Sequence, residues 1–246
     1  MIKPIQSSSL RDLFIQDFEK LIFSGYFKIG EKLPPERELA QKMGVSRPVV
    51  HEGLVDLVSK GLVTMVPRKG SVINDYRKQG SLFVLTTLFE YGEGQVSEKL
   101  LNSVLDMRLL FEVENASLAA QKRNQDHLSQ FEALLDREKK MNPKEKQRVA
   151  QLDFEFHHLL AMASDNLIYP LLLNSMKQFY ISISVKFFSD HSLVPEVFGF
   201  HTRLVRAIAD QNEDKAKTIM KDMLSHGESH LRKFIDQSKA GAHESN

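Results

Sequence analysis

Residues 28–74 constrain the fold of this chain more than any other stretch of its sequence. Pro34 and Pro35 end the preceding segment and fix backbone angles that suit the start of a helix. A helical spacing of apolar residues follows over residues 36–43, and Gly44 then supplies the glycine at which a helix can turn sharply. This order predicts a short helix that ends in a tight turn.

A second helix is predicted directly after that turn. Ser46 is the expected N-cap, and Pro48 falls in the first helical turn, where a missing N–H has no energetic penalty. The face expected to be buried consists of Val50, Leu54, Leu57 and Val58. Two helices joined so closely predict a helix-turn-helix, whose second helix can enter a DNA major groove from its N-terminal end.

The residues that follow have the pattern of a β-hairpin. Residues 62–66 and 71–73 favour strands, and a turn at Pro67–Gly70 separates them. Arg68 and Lys69 lie at the tip of this hairpin, where two cations suit phosphate or minor-groove contacts. An exposed, solvated turn is the alternative, but its place after a helix-turn-helix favours the wing of a winged helix.

Length and composition set the broad class. A chain of 246 residues fits two domains, and the absence of cysteine excludes disulfides and thiolate metal sites. No apolar run reaches membrane-spanning length, and the first residues do not resemble a signal peptide, so we expect a soluble, cytoplasmic protein. The formal net charge is only +1, so the cations needed for DNA must be concentrated locally.

The rest of the chain predicts a mainly α protein in two parts. Residues 1–74 form a winged helix-turn-helix domain that begins with a helix over about residues 7–25. Residues 75–80 are polar and form a linker. Residues 81–240 form an all-α antiparallel helical bundle. Its expected helices are Ser81–Glu90, Ser97–Arg123, Gln125–Met141, Lys144–Ala163, Ile168–Phe188, Pro195–Gln211 and Glu213–Gln237.

One polar pattern within the bundle suggests a metal site. Asp153 and His157 are four residues apart, so they share a helix face, and His201 on a later helix is a candidate third ligand. Such groups are unfavourable in a helical core unless they are paired or bind a metal. This nitrogen and oxygen set suits zinc, nickel or manganese. About one such spacing arises by chance, and Asp222 with His226 is another, so a surface ion pair is the alternative.

Arg108 is a candidate for binding an anion. It lies in an apolar stretch of a predicted helix, and its guanidinium fork can hold a carboxylate or phosphate. The alternative is an ion pair with Glu112, one helical turn later.

The DNA-reading half resembles the N-terminal domain of the GntR family of bacterial transcription regulators. The resemblance rests on LPPERELA, MGVSRPVVHEGL, KGLV and the RKGS wing, in that order. It implies that Arg37 and Arg47 contact the operator, and it places His51 where the family usually has arginine. The predicted DNA-binding residues are Arg37, Ser46, Arg47, His51, Arg68, Lys69 and Gly70.

The helical half resembles the effector-binding domain of the FadR branch of that family. The matching segments include residues 105–108, 153–157 and 161–166 and His201. The resemblance implies a homodimer, a palindromic operator on double-stranded DNA, and a small anionic effector in the bundle. Two types of domain exist in that branch. The FCD type holds a divalent metal near a carboxylate effector, whereas the other type binds long-chain acyl-CoA without the metal.

The residues of this chain match both types in part. Arg108 corresponds to the arginine that reaches the effector, and Asn174 and Tyr180 resemble the acyl-CoA type. Metal-binding relatives have a further histidine at the position of Met223, and His226, one turn later, is the candidate replacement.

These patterns favour a DNA-binding transcription regulator that responds to an effector, and not an enzyme. A metal-dependent hydrolase using Asp153, His157 and His201 is an alternative, although the chain has no HExxH or nucleophile motif. A dimeric DNA-binding protein without an effector is a second alternative.

Overall fold

A computed structural model of the chain describes residues 9–91 and 98–243. The chain forms two compact units, Met1–Gly94 and Gln95–Asn246. The mainly α prediction is confirmed, since the strands of the described residues form one two-stranded sheet and the other named elements are helices.

The first unit is a winged helix-turn-helix, as the sequence predicts. Its elements are α1 (Leu10–Phe23), α2 (Glu36–Met43), α3 (Arg47–Ser59), β1 (Val63–Val66), β2 (Gly70–Ile73), α4 (Tyr76–Gln79) and α5 (Val84–Tyr91). Gly44 adopts φ 66° after α2, and its N–H donates to the Ala40 carbonyl. Ser46 occupies the N-cap of α3 with extended backbone, but its hydroxyl makes no capping hydrogen bond, and Pro48 lies in the first turn.

Aromatic rings from α1 form the core beneath α3. Phe18 stacks on Phe14 at 5.3 Å and on Phe27 at 5.2 Å between ring centroids. Gly53 lets α3 approach this stack, because a Cβ atom there would lie 2.3 Å from the Phe14 ring. The close crossing of α1 and α3 therefore depends on a residue without a side chain.

One residue departs from the predicted apolar face of α3. Val58 was predicted to be buried, but it is 39% exposed.

The wing is a short antiparallel hairpin. Val66 of β1 pairs with Gly70 of β2 across the turn. Arg68 adopts φ 63° and Gly70 φ 99°, so the turn uses the left-handed region twice. Arg68 and Lys69 are exposed at its tip, where the sequence predicts them.

Residues 74–81, predicted to include a linker, are docked on the end of α3. Asn74 donates from its backbone N–H to Leu62 at 2.9 Å and from its side chain to Gly61 at 3.1 Å. The Ser81 N–H donates to the Lys60 carbonyl at 3.0 Å. The helix α5 also belongs to the first compact unit, so the domain boundary at residue 81 stays a proposal.

The second unit contains helices alone among its described residues. They are α6 (Glu98–Lys122), α7 (Gln125–Lys139), α8 (Lys146–Ala163), α9 (Ile168–Ser175), α10 (Lys177–Phe187), a 3₁₀ turn (His191–Leu193), α11 (Val194–Ala209) and α12 (Glu213–His243). The helix predicted over Ile168–Phe188 is divided at Met176, which has non-helical φ −102° and ψ 4°. Its core lies between α6, α7, α8, α11 and α12.

None of the helices in the described ranges is both long enough and apolar enough to cross a membrane.

A buried ion pair in the first unit yields a stability prediction. Lys60 at the end of α3 contacts the Glu19 carboxylate of α1 at 2.7 Å, and Thr87 of α5 donates to the same oxygen at 3.2 Å. Burial raises the pKa of Glu19, although Lys60 counteracts this effect. The substitution Lys60→Met leaves this charge unpaired and should lower the free energy of unfolding by ~1–3 kcal/mol.

Native-state hydrogen exchange of α1 and α3 amides in the full-length protein would measure this loss. The double variant Glu19→Gln/Lys60→Met removes both charges and should recover most of it. An equal loss in the single and double variants would contradict the role given to the pair.

Candidate functional site

The predicted DNA-binding residues all lie at exposed positions of the first unit. Arg37 lies in the first turn of α2, while Ser46, Arg47 and His51 lie at the start of α3. All four are exposed, as are Arg68, Lys69 and Gly70 in the wing. The N-terminal end of α3 is therefore exposed together with cationic side chains, as binding in a DNA major groove requires.

Glu36 is a member of this surface that the sequence analysis did not single out. Its Oε2 lies 3.2 Å from Arg47 Nε, and its Oε1 lies 2.7 Å from His51 Nδ1. The hydrogen bond with His51 lowers the pKa of Glu36, Arg47 lowers it further, and partial burial opposes both. Glu36 belongs to the LPPERELA segment, but no local pattern links it to Arg47 and His51, which lie 11 and 15 residues later on another helix.

The second unit contains a cluster of buried ionisable side chains. Asp153 and His157 come from α8 and His201 from α11, and each is at most 5% exposed. Two glutamates, Glu112 of α6 and Glu138 of α7, are equally buried beside them. Charged groups at this depth must be paired or must hold an ion.

The three predicted metal ligands come together. His201 Nε2 lies 3.6 Å and His157 Nε2 lies 3.9 Å from Asp153 Oδ1. One ligand atom from each residue can be chosen so that all three lie within 4.8 Å of one another. Two ligands that each lie about 2 Å from one ion have a similar separation.

Both imidazoles are oriented by a carboxylate on the side away from Asp153. His201 Nδ1 is hydrogen-bonded to Glu138 Oε1 at 2.7 Å, and His157 Nδ1 lies 2.5 Å from Glu112 Oε2. This carboxylate–histidine arrangement is typical around metals, where it directs the other ring nitrogen to the ion. The buried His201 Nε2 has no hydrogen-bond partner among the described residues. The residues present therefore fit a divalent ion.

The proposed fourth ligand is not part of this group. His226 Nε2 lies 3.1 Å from Glu196 Oε2 instead. Met223, at the position where metal-binding relatives are expected to have histidine, lines the cavity together with Asp153 and His157. A thioether is a poor ligand for zinc or manganese, so the cluster offers three protein ligands and an open side.

Arg108 lies at the same cavity and is also paired. Its Nε contacts Glu112 Oε1 at 2.5 Å, so the ion pair predicted as the alternative is present. Its Nη2 lies 3.5 Å from the Tyr180 hydroxyl, which donates to Asp153 Oδ2 at 2.9 Å. Burial alone would raise the pKa of Glu112, but Arg108 and His157 together bring it down to about 2.

The cavity between these residues is small, at about 40 Å³. Its lining combines Arg108, Asp153, His157 and Ser184 with apolar side chains of α10 and α12. This volume holds an ion with a few waters or a small ligand group. Asn174, predicted to bind an effector, is exposed on α9 and is not among the residues that line it.

Glu138 was not among the predicted site residues, although its position in the sequence indicates that it is buried. Phe131, Leu134 and Glu138 share one buried face of α7 at spacings of three and four residues. A glutamate in that register implies a buried partner, which is His201.

The fold and these two sites define a class of protein. A winged helix-turn-helix with exposed cations is joined in one chain to a helical domain that contains a buried polar cavity. This combination defines a DNA-binding transcription regulator with a helical ligand domain.

Comparison with known families identifies the chain. The family model described as FadR C-terminal domain matches residues 74–236. The model described as Bacterial regulatory proteins, gntR family, matches residues 15–73. The protein belongs to the GntR family of bacterial regulators and carries a FadR C-terminal domain, which confirms the predicted resemblance. It is a regulator and not an enzyme, so the hydrolase alternative is discarded.

Individual relatives agree with this assignment. The chain is 29% identical over 185 residues to the fatty acid metabolism regulator protein of Klebsiella pneumoniae, covering 75% of each chain. It is 28% identical over 225 residues to the HTH-type transcriptional regulator LutR of Bacillus subtilis, covering 89% of this chain and 99% of LutR. The solved structure of Lar, which controls expression of the Listeria monocytogenes agr system, matches with TM-score 0.66 at 15% identity over 93% of this chain and 99% of Lar, and shows the shared fold.

Proposed function

We propose that this regulator binds a palindromic operator as a homodimer and that a small anionic effector in the second unit controls its affinity for DNA. The observation that carries the proposal is the buried, unpartnered Nε2 of His201, which lies 3.6 Å from Asp153 Oδ1. Asp153 also lines a small cavity, together with His157 and Arg108. The free ring nitrogen of His201 and the Asp153 carboxylate suit a cation. The Arg108 guanidinium suits an anion that binds to that cation.

The cation in this proposal is a divalent metal such as zinc, nickel or manganese. Asp153, His157 and His201 would hold it, and Glu112 and Glu138 would orient the two imidazoles. When bound, the ion supplies a Lewis-acidic position for an effector oxygen. Arg108 is the second positive group for the same anion, because its guanidinium keeps donors beyond those used by Glu112.

The size of the cavity favours a small carboxylate over a fatty acyl-CoA. A volume of about 40 Å³ admits a carboxylate group but no long chain without rearrangement of α10 and α12. The acyl-CoA alternative is supported by the match to the FadR C-terminal domain and by relatives named fatty acid metabolism regulators. In that case long chains would bind more tightly than short ones, since each buried CH₂ contributes ~0.8 kcal/mol.

The DNA contacts in this proposal follow from exposure and charge. Arg47 and His51 read bases from the start of α3, with Arg37 and Ser46 beside them. Arg68, Lys69 and the backbone of Gly70 serve the wing, where the cations contact phosphates or the minor groove.

The proposed homodimer is supported by exposed apolar side chains on α6, on α9 and at Leu167, the residue before α9. Leu110 is 81% exposed, Leu167 is 84% exposed and Leu171 is 60% exposed. The two helices are neighbours, since Phe111 and Tyr169 pack with ring centroids 4.9 Å apart. An apolar surface of this kind is typical of a protein interface, and a two-fold dimer requires a palindromic operator.

The DNA contacts predict two distinct mutational effects. Arg47→Ala should weaken operator binding by ~1–3 kcal/mol and relax specificity at one base position. Lys69→Ala should weaken binding to all sequences similarly and reduce the slope of log affinity against log salt by about one. Fluorescence anisotropy over a salt series would separate them, and unchanged operator affinity in Arg47→Ala would exclude its base contact.

The effector site predicts a loss of response without a loss of DNA binding. In the wild type, an effector found by screening small carboxylates and acyl-CoAs should change operator affinity about 5- to 150-fold. Arg108→Lys keeps a charge beside Glu112 but lacks the fork, so its response should fall sharply while its affinity without effector stays the same.

His157→Ala distinguishes the two effector types. It should abolish the response to a small carboxylate held by a metal, and should spare the response to an acyl-CoA held without one. A full response in both Arg108→Lys and Arg108→Ala would contradict the proposed role of Arg108.

A further inference from the structure

His51 is held in one orientation by a residue of the preceding helix. Its Nδ1 lies 2.7 Å from Oε1 of Glu36, in the first turn of α2. The second oxygen of the same carboxylate lies 3.2 Å from Arg47 Nε. Glu36 therefore holds two side chains at the reading end of α3 through its two oxygens.

This contact determines which nitrogen of His51 carries the proton. Glu36 is held in its ionised form, since its hydrogen bonds with His51 and Arg47 lower its pKa. An ionised carboxylate only accepts hydrogen bonds, so the proton in the 2.7 Å contact belongs to Nδ1. In the neutral ring, Nε2 then has no proton and is a hydrogen-bond acceptor.

Nε2 is the nitrogen available to DNA. It lies on the far side of the ring from Nδ1, and the His51 side chain is 54% exposed. Within the described parts of the chain, the hydrogen bond of the His51 ring is the one that Nδ1 makes with Glu36. The outward edge of the ring is thus free for a base.

We propose that Glu36 makes His51 a specificity-determining residue whose reading of one base depends on its protonation. The neutral ring accepts a hydrogen bond from the exocyclic amine of adenine or cytosine. The protonated ring donates from Nε2 to N7 or O6 of guanine. This inference rests on the proposed function, which places the start of α3 in the major groove.

An arginine at this position would behave differently. Guanidinium has donors only and stays charged, so it favours guanine at every accessible pH. The neutral His51–Glu36 pair presents the opposite polarity, and only protonation makes it resemble arginine.

Few other charges act on His51 in the described structure. Glu36 faces it from α2, and Arg47 from α3 reaches it through Glu36. Glu52 is the next residue along α3 and is exposed. Asp56 of the same helix is paired with Arg11 of α1 and with Lys60. The Glu36 carboxylate is the group in direct contact with the imidazole.

The test selects binding sites from a randomised DNA duplex library with the full-length protein. The selections are run at about pH 8 and about pH 6, at fixed ionic strength. Wild type should prefer adenine or cytosine at one symmetric position per half-site at the higher pH. At the lower pH, relative preference for guanine there should rise about 2- to 12-fold, the effect of one hydrogen bond.

Three single substitutions at His51 or Glu36 test which group causes the pH-dependent base preference. His51→Gln carries a donor and an acceptor that do not titrate, so its base preference should not change with pH. His51→Arg should prefer guanine at both pH values. Glu36→Gln can either accept from Nδ1 or donate to it, so the preference for adenine or cytosine at about pH 8 should decrease.

The outcomes separate this inference from the proposed function. A wild-type preference that is the same at both pH values, or a pH response that persists in His51→Gln, overturns the inference alone if a palindromic site is still selected. Failure to select any palindromic site contradicts the proposed reading of DNA by α3, and the inference falls with it.

Discussion

The second unit depends on the pairing of charges inside its core. Glu112 lies between Arg108 and His157, and Glu138 is paired with His201. Removal of one partner from such a set leaves a buried charge uncompensated, which typically destabilises a protein by ~3–5 kcal/mol. The helices that carry these residues must therefore keep one register relative to one another. The space between Asp153 and the two imidazoles suits a cation.

The same principle organises the DNA-binding unit around α3. A carboxylate from another helix lies at each end of this helix. Glu36 of α2 holds Arg47 and His51 at the start, and Glu19 of α1 holds Lys60 at the end. One carboxylate therefore orients the residues proposed to read bases. Glu19 joins the end of α3 to α5, because Lys60 and Thr87 donate to the same oxygen of its carboxylate.

Local patterns in the sequence predicted much of this architecture. Gly44 and Pro48 gave the helix-turn-helix, since backbone angles and caps depend on neighbouring residues. The four-residue spacing of Asp153 and His157 likewise predicted two of the three ligands that come together. Turn residues between segments of helical apolar spacing predicted where most helices of the bundle begin and end, to within a few residues. The break at Met176 was not predicted.

The parts that could not be predicted depend on contacts distant in sequence. Glu138 and His201 are 63 residues apart, and Glu36 and His51 are 15 apart on different helices. Residues 75–80 look like a linker because their fixed position depends on the residues on either side. Asn74 and Ser81 bond to backbone groups just after α3, which no local pattern reveals. His226 lies one helical turn after the position expected for a fourth ligand, and Met223 at that position lines the cavity instead.

Calorimetric titration of chelator-treated, full-length protein with zinc tests whether the buried cluster is built around a cation. We expect one ion per chain in the wild type, a loss of about 10- to 100-fold in affinity for Glu138→Gln, and no binding for His157→Ala. The control variant His127→Gln, altered in the first turn of α7, should bind as the wild type does. Absence of binding in the wild type, or equal affinity in all four proteins, would contradict the claim.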